Sequence, residues 1–312
     1  MSRVKFSLSE VLLGAGARPS VTIRAGICPE LARLPYLREL FKLKLRSLVH
    51  RRSTRHWLAL LNSHPAFSDY VRHCPRILYK IYRPYMTLSL PIEARLAALA
   101  AHYRVVFDHG LSGLVTQAVR EPVALAHFEG RDGTSYEVVL RAIGLLEREG
   151  ELVLQLRADG MPLVAAAFTI APREGRFAVN IGCVQGTAGE GTREAIRSAT
   201  RQLHGLRPKQ LLVSLVRHIG HLLGCSELRM VSNANRVVRS AIRNGSVLAD
   251  YDQLWEEMGA HRLPDGDYCL PCGVLEAPDF DAVPSKKRAE ARRRHALLDE
   301  VCAALGTRLR AG

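Results

Sequence analysis

The middle of the chain alternates between apolar runs that are typical of β-strands and one apolar run with the spacing of a helix. Three strand-like runs rich in Val, Ile, Leu and Phe follow one another: Leu152–Arg157, Leu163–Ile170 and Phe177–Val184. Short breaks at Asp159-Gly160 and Glu174-Gly175 separate these runs and are typical of hairpin turns. The pattern therefore predicts an antiparallel meander of three strands.

The residues around this meander add a helix and three more strands. Between Gln210 and Leu223 the apolar residues recur at spacings of three and four, as on one face of a helix. Glu227–Ser232 has the composition of a short strand after that helix, and Val123–Phe128 and Tyr136–Ile143 have that of two strands before the meander. We expect an α+β fold with a mixed, mainly antiparallel sheet.

The segments on either side of the sheet are predicted to be mostly helical. Helical spacing of apolar residues is found in Pro29–Asn62, Pro91–Phe107, Asn233–Asn244 and Ser285–Leu305, and Tyr268–Leu275 is predicted as the last strand. The predicted organisation is an irregular N-terminus (residues 1–28), a basic helical region (29–115), an α+β core (116–280) and a basic C-terminal helix (281–312).

The charge balance indicates which classes of partner the surface can attract. The 312 residues carry 44 Lys and Arg against 30 Asp and Glu, which gives a formal net charge of +14 and a sequence pI of about 9.8. Such a surface favours anionic partners, namely phosphorylated cofactors, anionic lipids or nucleic acids. Four Tyr residues alternate with Arg and Lys over His64–Tyr85, but no nucleic-acid-binding motif accompanies them, so nucleic acid is not expected as a partner.

Several other classes of protein are disfavoured. No segment has the roughly 20 uninterrupted apolar residues of a membrane span, and Val11-Leu12-Leu13 is too short for the core of a signal peptide. We therefore expect a cytoplasmic protein, located peripherally at the inner membrane if it binds lipid. Seven Cys do not suggest a disulfide framework, and Cys269 and Cys272 form a single CxxC without further ligands, so no metal is expected.

Two basic helices leave alternatives open. In Pro29–Asn62, apolar residues at helical spacing are accompanied by eight Arg and Lys residues, and in Ser285–Arg294 six Lys or Arg lie within nine residues. Each helix either packs its apolar side on the core with a solvated basic face, or lies on an anionic membrane surface.

Local phrases along most of the chain resemble the VirK/YbjX family of bacterial proteins. The phrases occur in order at Ile181–Gly186, His204–Leu212, Val231–Asn233, Tyr251–Glu256, and Ser285–Glu290 with Arg292–Asp299. The resemblance implies Gram-negative bacteria and an association with virulence, envelope stress and resistance to cationic peptides. It implies no catalytic residues.

The predicted order of elements is also similar to that of GNAT-type acyltransferases, in which a helix N-terminus cradles the pyrophosphate of acyl-CoA. That resemblance implies CoA or acyl-CoA as cofactor and places its phosphates at Gly205–Gln210, where Arg207 and Lys209 add positive charge. The Gly-rich signature of these enzymes is absent there, and Gly186–Gly191 is the alternative phosphate loop. The full set of expected cofactor-binding residues is Gln185, Gly186, Arg207, Lys209 and Asn233.

Acyl transfer from a thioester needs a base, an oxyanion donor and a proton source for the thiolate. The expected catalytic residues are Asp252 or Glu256 as base and Tyr251 as proton donor, with backbone N–H groups near Gly182–Val184 as the oxyanion site. A buried aromatic pair of Tyr251 with Trp255 is the alternative interpretation of the same segment. Cys183 is a candidate nucleophile, although no His lies beside it in the sequence.

Two functional hypotheses therefore stand side by side. In the first, the chain is a cytoplasmic acyltransferase that uses a CoA or acyl-carrier donor. In the second, it is a non-enzymatic basic factor that binds anionic lipid or envelope components through its two basic helices. The sequence does not distinguish them, and it does not indicate an oligomeric state.

Overall fold

The fold is that of a computed structural model, which describes residues 21–28, 30–187, 189, 191–237 and 250–311. The predicted irregular N-terminus therefore lies outside the described residues up to residue 20. The predicted helix over Asn233–Asn244 lies outside them beyond residue 237.

The first part of the chain is helical, as predicted. The helices are α1 (Arg33–Val49), α2 (Arg51–Leu61), α3 (Ala66–His73), α4 (Ile92–Asp108) and α5 (Ser112–Arg120), with short 3-10 segments at Ile23–Gly26 and Pro75–Tyr82. The single predicted helix over Pro29–Asn62 is interrupted at His50, so it forms α1 and α2. The boundary predicted after residue 115 falls within α5.

The second part of the chain forms one eight-stranded sheet in the order β1-β2-β3-β4-β5-β6-β8-β7. Its strands are β1 (Val123–Glu129), β2 (Ser135–Ala142), β3 (Leu152–Ala158), β4 (Met161–Arg173), β5 (Arg176–Gly186), β6 (Glu227–Met230), β7 (His261–Arg262) and β8 (Tyr268–Pro271). Among the described strands only β5 and β6 pair in parallel, and all other neighbours are antiparallel. The predicted α+β class, the meander and its turns are confirmed.

The connections within this part are α6 (Thr192–Gln202), α7 (Pro208–Leu222) and α8 (Tyr251–Glu257), and the chain ends in α9 (Ser285–Ala311). The predicted central helix is α7, whose buried apolar face packs on β3, β4 and β5. The predicted tail helix is α9, which packs on β1 and α7. One hydrophobic cluster runs through the helical region, the sheet and α9.

The last strand is shorter than the predicted Tyr268–Leu275, and this part of the prediction is wrong. β8 ends at Pro271, which pairs with Glu227 at the first residue of β6. One further backbone bond joins the Cys272 N–H to the Ser226 carbonyl at 3.0 Å, and the described residues after it pair with no strand. Strand-like composition alone therefore does not extend the sheet.

Candidate active site between two diverging strands

β5 and β6 pair over only part of their length and then separate. Their parallel ladder runs from Ala178 opposite Glu227 to Ile181 opposite Met230, and one further bond joins Val231 N–H to the Ile181 carbonyl at 3.1 Å. β5 continues to Gly186 beside β4 alone. The two strands thus open into a gap whose β5 side carries residues 182–186.

A bulge in β5 marks the point of separation. Ala167 of β4 faces Cys183 and Phe168 faces Ile181, so Gly182 has no partner of its own on β4. A Cβ on Gly182 would lie 2.1 Å from the carbonyl oxygen of Glu149, so only glycine fits at this position. The turn before β3 therefore lies directly against the bulge.

The side chain of Tyr251, at the start of α8, fills part of the gap. Its hydroxyl oxygen accepts a hydrogen bond from the Val184 N–H at 2.7 Å and donates one to Cys183 Sγ at 3.3 Å. The Tyr251 ring is buried between the Arg236 guanidinium, 3.7 Å from its centroid, and the Trp255 indole at 5.5 Å. The tyrosine predicted as proton donor and the predicted oxyanion segment are therefore neighbours.

Burial controls the protonation of this cluster. Desolvation raises the pKa of the Tyr251 phenol well above its usual value, with Cys183 adding to the rise and Arg236 opposing it. Desolvation likewise raises the pKa of the Cys183 thiol to about 11, although the hydrogen bond from Tyr251 lowers it. Both groups keep their protons at neutral pH. Cys183 is thus a thiol rather than a thiolate, which disfavours it as a nucleophile.

A basic cleft of about 580 Å³ opens at the N-terminus of α7. It lies between α6, α7 and α8, and its charged lining consists of Arg197, Arg201, Arg207, Lys209, Asp250 and Glu257. Four cations against two carboxylates leave this lining at +2. α7 begins with Pro208 and has no side-chain cap, so the positive end of the helix dipole faces the cleft without a neutralising group from its N-cap residue.

The two predicted phosphate-binding cations of α7 differ in their surroundings. Arg207 is exposed and forms an ion pair with Glu257 of α8. Lys209 is half-buried and makes no ion pair with another described residue. Burial lowers the pKa of Lys209, while Cys183 raises it and Arg236 lowers it further. Lys209 thus lines the cleft and lies within electrostatic range of Cys183 and Arg236.

The two predicted bases lie on another face of α8. Asp252 Oδ1 accepts the Asn233 N–H at 2.8 Å, and Glu256 Oε1 accepts the Tyr268 hydroxyl at 2.9 Å. Among the described residues neither carboxylate forms a hydrogen bond with Tyr251, Cys183 or Val184. The structure does not bring them into the gap.

Asn233 braces the start of α8. Its Oδ1 accepts the Tyr251 N–H at 3.0 Å, and its Nδ2 donates to Asp250 Oδ1 at 2.7 Å. Asp250 in turn accepts the Gln253 N–H as the cap of α8. Asn233 thus positions Tyr251, and it is not among the residues that line the basic cleft.

The remaining predicted residues lie at the open end of β5. Gln185 and Gly186 pair with Ala165 and Val164 of β4, and a Cβ on Gly186 would lie 3.2 Å from the Ile196 Cδ1. Ile196 lines the cleft, so Gly186 lies next to it. The alternative loop Gly186–Gly191 has residues 188 and 190 outside the described part of the chain.

Arg236 was missed by sequence reasoning. It is almost completely buried and covers the Tyr251 ring, yet the two lie 15 positions apart in the sequence. An isolated arginine after a short strand carries no periodic signal. Its proximity to Tyr251 depends on the packing of α8 against the end of β6.

A second buried polar group lies beneath the N-terminal helices. The Glu151 carboxylate pairs with Lys80 and accepts the hydroxyls of Tyr85 and Tyr103, and all four residues are almost fully buried. The Tyr85 hydroxyl also lies 2.7 Å from Thr169 Oγ1 of β4. This network joins the helical region to the sheet.

Neither metal ligands nor a membrane span is found within the described ranges. No group of three His, Cys, Asp or Glu among the described residues could hold a metal ion. No helix in the described part of the chain is long and apolar enough to cross a membrane.

Comparison with known proteins identifies relatives over most of the chain. The profile of the family described as "Protein of unknown function (DUF535)" matches residues 33–306. The "Uncharacterized protein YbjX" of Escherichia coli K12 is 29% identical over 274 residues, which cover 86% of this chain and 83% of that protein. An uncharacterized protein of Haemophilus influenzae is 25% identical over 270 residues, covering 86% and 88%. The predicted family resemblance is confirmed.

Among solved structures, a mutant of the "cAMP-binding acyltransferase from Mycobacterium smegmatis" is similar to this chain. The alignment has 12% sequence identity and a TM-score of 0.27, and it covers 74% of this chain and 66% of that one. A structural likeness of this size carries no information about activity.

Proposed function

Because the chain belongs to the DUF535 family, whose function is unknown, we propose its function from its own geometry: it is an acyltransferase that uses a CoA-type thioester donor. The observation that carries this proposal is the Val184 N–H, which faces the gap between β5 and β6 and already holds an oxygen atom, the Tyr251 hydroxyl, at 2.7 Å.

The gap suits a thioester carbonyl. A backbone N–H fixed in a buried strand stabilises negative charge that develops on an oxygen, because it needs no reorganisation during the reaction. Val184 and Tyr251 are both fully buried, so the local dielectric is low and the hydrogen bond is strong. The Tyr251 hydroxyl occupies the position at which the donor carbonyl would bind.

The basic cleft suits the phosphates of the donor. Arg207, Lys209 and the N-terminus of α7 meet there, and Arg197 and Arg201 of α6 add charge on the opposite side. Backbone N–H groups at a helix start and nearby guanidinium groups are the usual ligands of phosphate in proteins. Lys209 lines this cleft and also lies within electrostatic range of Cys183, which suits a donor whose phosphates bind in the cleft and whose thioester binds at the gap.

The reaction assigns a role to Tyr251. When the donor binds in this proposal, its carbonyl oxygen replaces the Tyr251 hydroxyl as acceptor of the Val184 N–H, and the displaced hydroxyl faces the thioester sulfur. A nucleophilic amine or hydroxyl of the acceptor attacks the thioester carbon, the carbonyl oxygen gains charge beside the Val184 N–H, and the C–S bond breaks. The departing thiolate takes a proton from the Tyr251 hydroxyl, which stays protonated at neutral pH because it is buried. The proton of the acceptor passes to a base and from there to solvent. A proton from solvent then returns the Tyr251 phenolate to the neutral phenol.

The base that takes the acceptor's proton has two candidates, the predicted carboxylates of α8, both of which lie outside the gap in this structure. Asp252 and Glu256 would have to release the Asn233 N–H and the Tyr268 hydroxyl before they could take a proton. Lys209 is not a further candidate, because this proposal needs its positive charge for the phosphates of the donor.

Titration with CoA tests the donor site, and product formation tests the reaction. We expect saturable binding of CoA and acetyl-CoA by calorimetry, with dephospho-CoA weaker, and release of free thiol when an acceptor amine is supplied. Absence of binding of both CoA and acyl-carrier protein to this protein would contradict the proposal. The association with virulence, envelope stress and resistance to cationic peptides stays a prediction from the family resemblance.

A further inference from the structure

The outer face of α1 is an apolar stripe in contact with solvent. At about 100° per residue, five leucine and phenylalanine side chains fall within an arc of about 80°. These are Leu34, Leu37, Phe41, Leu45 and Leu48, and each is more than half exposed. The same helix packs on the protein through a different side, where Leu43 is buried with Ile27 and Tyr79.

The stripe is therefore not the core-facing side of an amphipathic helix. Tyr36 and Leu40 pack beside Leu43 against the cluster around the 3-10 segment Pro75–Tyr82. In projection the stripe lies about 140° from this inner side. The helix is apolar on both sides, and the outer side has no partner among the described residues.

Basic side chains border the stripe on both edges. Arg38 and Lys42 follow it on one edge, and Arg33 and Lys44 on the other, at about 20–60° from its nearest apolar residues. All four are exposed. An apolar face with cationic residues at its borders is the arrangement of helices that lie in the interface of an anionic bilayer, with the aliphatic stems along the acyl chains and the charges at the phosphates.

Charge selects among the surfaces that could cover the stripe. Residues 31–55 contain eight Arg or Lys and one acidic residue, Glu39, which leaves seven positive charges in excess. A second copy of α1 placed on the first would set like charges against each other. The 20 N-terminal residues carry three basic residues against Glu10, so they supply no complementary charge either.

We propose that α1 is a membrane-binding element that lies on anionic phospholipid bilayers, with Leu37, Phe41 and Leu45 inserted among the lipid chains. This inference rests on α1 alone and is independent of the acyl-transfer proposal. It places the attachment in the helical region and not in the basic half of α9, where Arg288 pairs with Asp281 and Arg292 lies over the Phe280 ring.

Sedimentation of the full-length protein with vesicles tests the proposal. We expect it to pellet with vesicles of phosphatidylcholine and phosphatidylglycerol and not with phosphatidylcholine alone. Leu37→Gln combined with Phe41→Gln and Leu45→Gln should weaken partitioning at least about tenfold, since apolar insertion is lost. Lys42→Gln with Lys44→Gln should weaken it mainly at low salt, because screening already reduces such contacts.

Matched controls distinguish binding through this surface from nonspecific adsorption to vesicles. Met161 and Val274 are as exposed as the stripe residues but lie outside α1, so Met161→Gln with Val274→Gln should leave partitioning unchanged. Thermal unfolding of each variant checks that the fold is kept. Loss of pelleting in Arg292→Gln with Arg293→Gln and Arg294→Gln, with the α1 variants unaffected, would overturn the proposal in favour of α9.

Phe41→Trp supplies a direct probe of depth. The two native tryptophans, Trp57 and Trp255, are fully buried, so a change on vesicle addition reports the new indole. We expect its emission to shift to shorter wavelength with anionic vesicles and to be quenched by lipids brominated along their chains. No shift, a shift that grows with protein concentration without vesicles, or an indole already shielded in the free protein would each overturn the membrane assignment.

Discussion

The hydroxyl of Tyr251 accepts a hydrogen bond from the backbone N–H of Val184, at 2.7 Å, in the gap where β5 and β6 separate. Val184 is buried in β5, which pairs with β4 along its other edge. On the edge that faces the gap, the Tyr251 hydroxyl oxygen is the acceptor of the Val184 N–H. This bond joins α8 to the sheet and occupies the proposed position of the substrate carbonyl.

Replacing Tyr251 by Phe should lower both stability and activity. The Val184 N–H would lose its acceptor, and an unsatisfied buried group costs about 1–3 kcal/mol in the free energy of unfolding. Urea denaturation measures this loss, and thiol release from acetyl-CoA measures the loss of the proton donor. Tyr36→Phe is the control, because its hydroxyl forms no hydrogen bond with a described residue. Equal stabilities of the two variants would contradict the role of the bond.

Gly182→Ala should be among the most damaging single-methyl changes in the sheet. The added Cβ would lie 2.1 Å from the Glu149 carbonyl oxygen, which belongs to backbone and cannot move aside cheaply. We expect a loss of roughly 1–3 kcal/mol or more, as for other overpacked sites. Gly273→Ala adds the same methyl group where no atom lies within 4 Å, and it should change the midpoint of urea denaturation little.

Arg207→Ala with Lys209→Ala should weaken CoA binding by about tenfold or more, because charge-assisted contacts to phosphate are lost. The midpoint of thermal unfolding should move little, since Arg207 is exposed and its pair with Glu257 is at the surface. Calorimetric titration is the measurement. Arg104→Ala with Arg120→Ala removes two exposed cations outside the cleft and should leave the affinity unchanged. Unchanged affinity in the first variant would contradict the phosphate site and would show that Arg207 and Lys209 are solvated surface residues.

Glu151→Gln should destabilise the chain by about 3–5 kcal/mol, because it leaves the Lys80 ammonium buried without a counter-charge. The double change Lys80→Met with Glu151→Leu should cost less than the single one, since neither charge then has to be desolvated. Denaturation by urea compares the three proteins. Glu137→Gln, at a partly exposed pair with Arg157, is the control and should change stability by less than about 1 kcal/mol.

His102 should make stability fall with acid. Desolvation lowers its pKa to about 4, with Glu151 raising it and Lys80 lowering it, and Nδ1 accepts the Ile170 N–H, so the folded protein holds the neutral ring. The unfolded chain binds a proton below about pH 6.5. Stability contributed by this group is therefore complete above pH 6.5 and lost as the pH falls toward 4.

The size of this effect follows from the proton that only the unfolded state binds. Between pH 6.5 and 5 the wild type should lose roughly 2 kcal/mol more than His102→Gln, which offers an acceptor to Ile170 N–H and does not titrate. Urea denaturation at the two pH values gives both differences. Parallel losses in the two proteins would show that other groups dominate the acid response.

The chain's local periodicity determined its succession of elements. Alternating and apolar runs broken by Asp159-Gly160 and Glu174-Gly175 predict β3, β4 and β5, and the spacing of three and four predicts α7, because these patterns depend on neighbours within a few residues. Local phrases along the chain also predicted the family. Arg207 and Lys209 were placed at the start of α7 correctly, since Pro208 marks a first helical turn.

Only the tertiary structure decided which residues meet. The parallel pairing of β5 with β6, its end at Ile181 and the entry of Tyr251 into the gap depend on contacts across 67 positions between Val184 and Tyr251. Arg236 over Tyr251 and Lys80 beside Glu151 arise in the same way, from the packing of distant elements. The sequence also did not determine which side of α1 faces solvent, because both sides of this helix are apolar. Only the packing of Leu43 against Ile27 and Tyr79 fixes which side is buried.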